Sequence, residues 1–440
     1  MTRGCRWLVT RRIFRQARPR KGNFFNRLAP VEPLIVLIFA ATYLGMALGG
    51  IPGLKVDRTG MALMAVVALL ASGALAVPQL GRAIDLPTLL LLFALMIVSA
   101  QFAAAGFYDW VAARLAGAGG PPGRLLLLVV VVAGGLSAIL ANDIIAFAIA
   151  PVLAEGTRRR GLDPRPFLIA LAAACNAGSA MTVIGNPQNI LIGQVGGLDF
   201  WRFTAACGPP ALLSLALVYG VVRWQWRHAL VMPAPEPVPA PAKPPNVWQT
   251  AKGVVALLGL AALFATPLPR DIGALVIAAV LLASRRMASR DMIGAVDWHL
   301  LLLIACLFIV TQSFAAVGLA TDGLAWLLER QLLPDNLAVM TPLLVLLSNS
   351  IGNVPAVILM LSVWPHPPAG AFYGMALLST LAGNLLIVGS LANIIVVERA
   401  ATVGVRLGFV EHARSGIPIT LASMAVAAGW LAWAGWMPWG

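Results

Sequence analysis

Apolar residues gather along the chain into long blocks separated by short polar or proline-rich stretches. A helix needs about 20 apolar residues to cross about 30 Å of hydrocarbon. Ten blocks fit one crossing each: residues 33–50, 59–79, 86–112, 167–196 and 199–224, then 251–266, 268–284, 298–320, 371–397 and 417–437. Two others do not fit a whole number of crossings. Residues 124–155 carry Asn142-Asp143 at their middle, and residues 337–363 carry Ser348-Asn-Ser-Ile-Gly-Asn353. Arms of about 10–17 helical residues reach about 15–25 Å, too short for two full crossings. Each of these blocks reads as a re-entrant hairpin whose irregular tip is buried in protein or faces water.

The chain also resembles itself. At a shift of 212 residues, Asp85 meets Asp297, each just before a leucine-rich run, and Phe102-Ala-Ala with Gly106 meets Phe314-Ala-Ala with Gly318. At a shift of 204, Gly185 and Asn189 meet Gly389 and Asn393. Proline-rich residues 231–245 read as a cytoplasmic linker between a first repeat, 28–230, and a second, 246–440. Five crossings per repeat is an odd number, so the second repeat is expected to be inverted. The expectation is an all-α polytopic membrane protein: two inverted repeats of five spans plus one re-entrant hairpin each, with broken helices at the midplane.

The charges fit that layout. Loops assigned to the cytoplasm hold 18 Lys and Arg, whereas the outer loops hold four: Arg82, Arg202, Arg270 and Arg330. This is the positive-inside pattern. The first hairpin, flanked by Arg124 and Arg158–Arg160, is expected to open from inside, and the second, flanked by Asp335 and Pro365–Pro368, from outside. The basic tail, residues 1–27, disagrees: parity puts it outside, while its nine basic side chains favour the inside. The apolar block that follows is needed by the repeat and is read as a span, not as a cleaved signal.

Two crossings are interrupted. Asn176-Ala-Gly-Ser179-Ala-Met-Thr182-Val-Ile-Gly185-Asn186-Pro187-Gln-Asn189 breaks one, and Gly383-Asn384 followed by Gly389-Ser390-Leu-Ala-Asn393 breaks its mate without a proline. Gly and Pro free backbone groups there, and the half-helix ends present partial charges of opposite sign. A lone break reads equally well as a simple kink. Paired breaks at matching positions point to a transporter's binding site. Asp143, an acid inside the membrane at a hairpin tip, reads both as a helix cap and as a proton or sodium site. Glu398, beside Arg399, reads as a solvated helix end, and Cys175 as a small buried hydrophobe.

Composition narrows the function. Of 440 residues, 60% are hydrophobic and 11% charged, against roughly 25% charged in a soluble domain. The net charge of +14 is dispersed between spans and forms no basic stripe, so nucleic acid is not an expected partner. The four cysteines form no CxxC, and there is no HExxH, no nucleophile–base set and no Gly-x-x-x-x-Gly-Lys loop. An enzyme is therefore not expected.

The Asn-Asp tip, Gly-Ser-x-x-Thr-x-Ile-Gly-Asn-Pro-x-Asn and Gly-Asn-x-x-x-x-Gly-Ser-x-x-Asn resemble the ion transporter superfamily. Its members include citrate-transporter-like permeases, divalent anion/sodium symporters, arsenite efflux permeases and one type of sodium/proton antiporter. The resemblance implies an inner-membrane homodimer with a fixed scaffold and a transport domain that moves as an elevator. It implies substrate and ion contacts at Asn142, Asp143, Thr182, Gly185, Asn186 and Asn189, and at Asn349, Asn353, Gly389, Ser390 and Asn393; Ser179 and Asn384, in the same two motifs, are expected to join them. A sodium site would fall at Asn142, Asp143 and Asn189. No cofactor is expected beyond sodium or a proton as coupling ion. The dicarboxylate symporters resemble one another in Ser-Asn-Thr at both tips; here the tips are Ala-Asn-Asp and Ser-Asn-Ser, which leans toward the arsenite-permease-like branch. The expectation is a secondary transporter of a small anion or oxyanion coupled to protons or sodium. A sodium/proton antiporter and an arsenite/antimonite efflux permease are the alternatives; a channel fits less well.

Overall fold

The computed structural model describes residues 32–48, 54–230, 243–264, 266, 268–284, 287–330, 332–364 and 366–440. The 1–27 tail, residues 231–242 of the linker and Pro365 lie outside the described residues. The described secondary structure is helical, and its order runs twice. The first half comprises α1 (Glu32–Ala47), α2 (Arg58–Ala71), α3 (Val77–Ala83), α4 (Leu86–Ala104), α5 (Phe107–Ala116), α6 (Pro122–Ser137), α7 (Asn142–Arg159), α8 (Arg165–Ser179), α9 (Pro187–Val195) and α10 (Phe200–Gln225). The second comprises α11 (Val247–Phe264), α12 (Arg270–Leu282), α13 (Ser289–Gly294), α14 (Trp298–Ala315), α15 (Gly318–Glu329), α16 (Leu337–Ile351), α17 (Asn353–Val363), α18 (Ala369–Ala382), α19 (Leu391–Ala401) and α20 (Phe409–Trp433).

Repeat-related residues do the same local work. Asp85 caps α4 by accepting from Thr88 N, and Asp297 caps α14 by accepting from Leu300 N at 2.9 Å. Each supplies an acceptor that a helix N-terminus otherwise lacks. Among the described residues, five helices, α4, α10, α11, α14 and α20, are long and apolar enough by length and composition to cross a membrane by themselves.

Several crossings end earlier or start sooner than the apolar pattern suggests. The block 86–112 is two helices. Gly106, with φ +74°, turns the chain after α4, and α5 buries Tyr108, Val111, Ala112 and Leu115 while carrying Asp109 and Arg114. Such a helix is amphipathic, and its apolar half made the run look continuous. The same split divides 298–320 into α14 and α15 and 59–79 into α2 and α3, the latter pair joined through Gly73 at φ +73°. Conversely, α20 begins at Phe409, because the polar turn Glu411–Ser415 is helical and buries His412 and Ser415.

Packing exchanges helices between the halves. From the first half, α1 and α2 lie against α14; from the second, α11 and α12 lie against α4. A second group holds both hairpins and both interrupted helices, with α6 packed on α8, α16 on α18, α7 on α19 and α10 on α20. The α6–α8 contact is close. A Cβ added to Gly178 would lie 2.1 Å from Gly134 O, so two glycines let the backbones touch.

Candidate functional site

In the first interrupted helix, α8 stops at Ser179 and α9 restarts at Pro187. Pro187 needs no N–H at the first helical position, and Asn186, extended at φ −154°, caps the restart by accepting from Asn189 N at 2.9 Å. The carbonyls freed by the break are met by one side chain: Asn189 Nδ2 donates to Ser179 O (3.1 Å) and Thr182 O (3.0 Å). Thr182 Oγ1 donates to Ala138 O, fastening the break to the end of α6. Gly185 is required because a Cβ there would sit 2.2 Å from Ser179 O.

The second break repeats this scheme without proline. Between α18 and α19 lies a short 3-10 turn, Ile387–Gly389, and Ser390 occupies the cap position. Asn393 Nδ2 donates to Gly383 O (2.8 Å) and Leu386 O (3.0 Å), 204 residues beyond the acceptors of Asn189. The second hairpin contributes further amides. Asn349 Nδ2 donates to Val345 O and Ala382 O (both 2.9 Å), and its oxygen accepts from Leu386 N (3.2 Å). The Asn353 amide faces two acceptors, Ser379 O and Gly389 O, so its nitrogen is assigned to that side, where it donates to them at 3.1 and 2.9 Å.

The two breaks are joined by crossed hydrogen bonds. Asn186 Nδ2 reaches Ser179 Oγ (3.0 Å) and Thr380 Oγ1 (3.2 Å) in the other half, and Gln188 Nε2 reaches the same hydroxyl at 3.1 Å. In return, Ser390 Oγ donates to Asn176 Oδ1 (2.8 Å). Asn176 Nδ2 then donates to Asn384 Oδ1 (2.8 Å) and Asn393 Oδ1 (3.1 Å). Asn176 and Thr380 are themselves 204 residues apart, so each break's cap residue bonds to the equivalent position of the opposite half. Neither hub was among the site residues expected from sequence. The motif contained Asn176, but nothing in a linear pattern links it to residues more than 200 positions away.

Between the hairpin tips and the breaks lies a cavity of about 400 Å³, within the range of small-ligand sites. The tips supply Asn142, Asp143, Gly352 and Asn353; the restarted helices supply Pro187, Gln188, Ser390, Leu391 and Ile394. Asp57, Arg58 and Thr59 close it from α2, and Asp297, His299, Leu300 and Leu303 from α14. Glu398, exposed, stands at its edge. Its neighbour Arg399 turns away onto the Phe147 ring (4.0 Å), so Glu398 is a cavity carboxylate and not simply a helix end neutralised by the next residue. A smaller, mostly apolar chamber of about 80 Å³ adjoins the first break, and Asp143 and Asp297 line both spaces.

Of the expected site residues, the cavity takes in Asn142, Asp143, Asn353 and Ser390, and the small chamber Asp143, Gly185 and Asn186. Ser179, Thr182, Asn189, Asn349, Asn384, Gly389 and Asn393 stand behind them, where Asn189, Asn349 and Asn393 donate to the broken backbone. Two buried oxygens, Asn142 Oδ1 and Asn189 Oδ1, have no hydrogen-bond partner among the described residues. Buried amide oxygens without donors are the kind of atom that receives a hard cation or a donor. Arg58, counted from sequence as a loop charge, is the only Arg or Lys among the described residues lining the cavity. Its Nη2 donates to Val388 O at 3.3 Å.

Paired helix breaks and hairpin tips around a shared polar cavity, in a bundle of apolar helices, are the architecture of a multi-pass membrane transporter for a small solute. Residues 34–371 match the citrate transporter family model (CitMHS), and the chain belongs to that family. It is 32% identical over 332 residues to the inner membrane protein YbiR of Escherichia coli, covering 72% of this chain and 81% of YbiR. It is 25% identical over 450 residues to the silicon efflux transporter LSI3 of Oryza sativa, covering 86% and 92%. The fold is similar to the crystal structure of the Alcanivorax borkumensis YdaH transporter, with TM-score 0.55, 16% identity and coverage of 92% and 98%.

Proposed function

We propose that the chain is a cation-coupled secondary transporter of a small oxyanion, working by alternating access between two inverted repeats. The observation that carries this reading is the charge of the cavity where tips and breaks meet. Four carboxylates (Asp57, Asp143, Asp297 and Glu398) face one guanidinium, Arg58. An anion entering such a space is repelled unless cations enter with it, which supports coupling to a cation. Arg58 gives the anion its counter-charge. Asp143, with the unpartnered oxygen of Asn142 at the same tip and that of Asn189 behind the cavity wall, is the place we assign to a proton or sodium ion.

In this reading the hairpins and interrupted helices are the moving part, and α1, α2, α4, α11, α12 and α14 the scaffold of a homodimer. The cavity is lined by Asp57, Arg58, His299 and Glu398, all near segments that the arginine bias assigns to the cytoplasm. The present conformation is then open to the inside. LSI3's silicon supports a small oxygen-rich solute, and the excess of carboxylates favours one rival, a sodium/proton antiporter that moves no anion. Vesicle uptake of citrate, phosphate, arsenite and silicic acid under imposed pH or sodium gradients tests the reading. Accumulation of at least one of them, driven by a gradient, is expected. Cation exchange that proceeds with none of the four moving would establish the antiporter instead.

A further inference from the structure

The scaffold helices α2 and α12 are repeat mates 212 residues apart, and each opens with an arginine, Arg58 and Arg270. The two are placed differently. Arg58 lines the cavity, donates to Val388 O in the second break at 3.3 Å, and lies against the second hairpin tip, where a Cβ on Gly352 would be 3.2 Å from its Nη1. None of the cavity carboxylates forms an ion pair with it among the described residues. Arg270 does not line the cavity; its guanidinium rests over the Phe264 ring at 5.4 Å.

A half-buried guanidinium without a carboxylate partner is costly unless something anionic meets it. It also presents a planar fork suited to two oxygens of one oxyanion. Arg58 stands on the scaffold and its acceptor on the interrupted helix, so their contact belongs to one conformation. Exchanging the conformations of two repeats converts one end state into the other. The exchange carries Arg270 to the first break, where Ile184 is the mate of Val388, and withdraws Arg58.

We propose that Arg58 and Arg270 are alternating scaffold counter-charges for the transported anion, one for each side of the membrane. The inference rests on the transport reading above and adds to it the residues that hand the anion over. Each arginine sets affinity only at its own face: Arg58 at the cytoplasmic side, Arg270 at the opposite side.

Two arms test this. In a cysteine-free background, Arg58→Cys with Val388→Cys, and separately Arg270→Cys with Ile184→Cys, are treated with a short bifunctional thiol reagent in membranes. Both pairs should cross-link, and in a protein carrying all four cysteines one link should exclude the other. Cross-linking of the first pair without the second would overturn the alternation, whatever the solute. In the second arm, Arg58→Ala and Arg270→Ala are compared in inside-out and right-side-out vesicles, with citrate and phosphate, both anions near neutral pH, as probes. Each variant should weaken apparent affinity about tenfold or more on its own face only, with Lys restoring part of it, as expected for loss of one charge-assisted contact. An equal loss on both faces, or none on either, would overturn the counter-charge role. Failure of the wild type to move any probe would count against the transport reading while leaving the cross-linking result to judge the alternation.

Discussion

At the first break, Asn189 donates its amide to Ser179 O and Thr182 O, and its own oxygen has no partner among the described residues. At the second break, Asn393 makes the same two bonds to Gly383 O and Leu386 O, but its oxygen accepts from Asn176. The hairpin tips differ in the same sense. Asn349 and Asn353 donate to backbone carbonyls, whereas Asn142 keeps an unpartnered buried oxygen beside Asp143. Both halves close their broken backbone with an asparagine amide, but the first leaves two buried amide oxygens without a partner among the described residues, whereas the Asn393 oxygen of the second is bonded. Symmetry in backbone does not imply symmetry in chemistry.

The comparison can be broken at several points. The severest is Gly178→Val, which forces α8 from α6, because even an added Cβ would lie 2.1 Å from Gly134 O. No folded protein should be recovered from membranes, because rigid backbone cannot yield as a flexible side chain can. Next is Asn176→Ala. It removes three hydrogen bonds that cross between the halves, to Asn384, to Asn393 and from Ser390. Stability should fall by about 2–5 kcal/mol, since each stranded buried group costs about 1–3 kcal/mol. A loss below about 1 kcal/mol in reversible unfolding would mean that the breaks do not depend on each other. Gly352→Ala is smaller. The second tip turns at φ +95° with Arg58 beside it, so strain of about 1–3 kcal/mol is expected, read as a lowered Tm.

The finest test separates the two mates. Asn393→Ala should behave as a stability mutant with an unchanged response to sodium and pH. Asn189→Ala should also lose stability, by about 1–3 kcal/mol, and in addition shift the sodium or pH dependence of transport. Equal effects on coupling would restore the symmetric expectation that the pattern of the sequence alone suggests.

How much of this was readable beforehand varies with the physics. The hairpins and breaks are local events: a polar tip within about 30 apolar residues, or Gly-Asn-Pro inside a span, announces itself in the neighbouring residues. The apolar pattern runs past the ends of α4 and α14 because a membrane chain's amphipathic helix, such as α5, is apolar enough to look like more of the same span. The role of Asn176 was hidden because its partners stand 208–217 residues away. Arg58 reads in the sequence as an ordinary cytoplasmic charge because its acceptor, Val388 O, lies 330 residues along the chain. Which amides tie the backbone and which face the cavity depends on side-chain direction, which spacing does not encode.

The central claim is that the carboxylate at the first tip couples a cation to the solute, and Asp143→Asn in sealed vesicles addresses it directly. Stability is expected to be preserved, since Asp143 forms no ion pair among the described residues that the substitution removes. Exchange of internal for external solute should continue, because the cavity, Arg58 and both breaks remain. Accumulation against a gradient, driven by imposed sodium or pH differences, should be abolished. Accumulation at the wild-type level with the same sodium and pH dependence would contradict the account and place coupling elsewhere in the cavity.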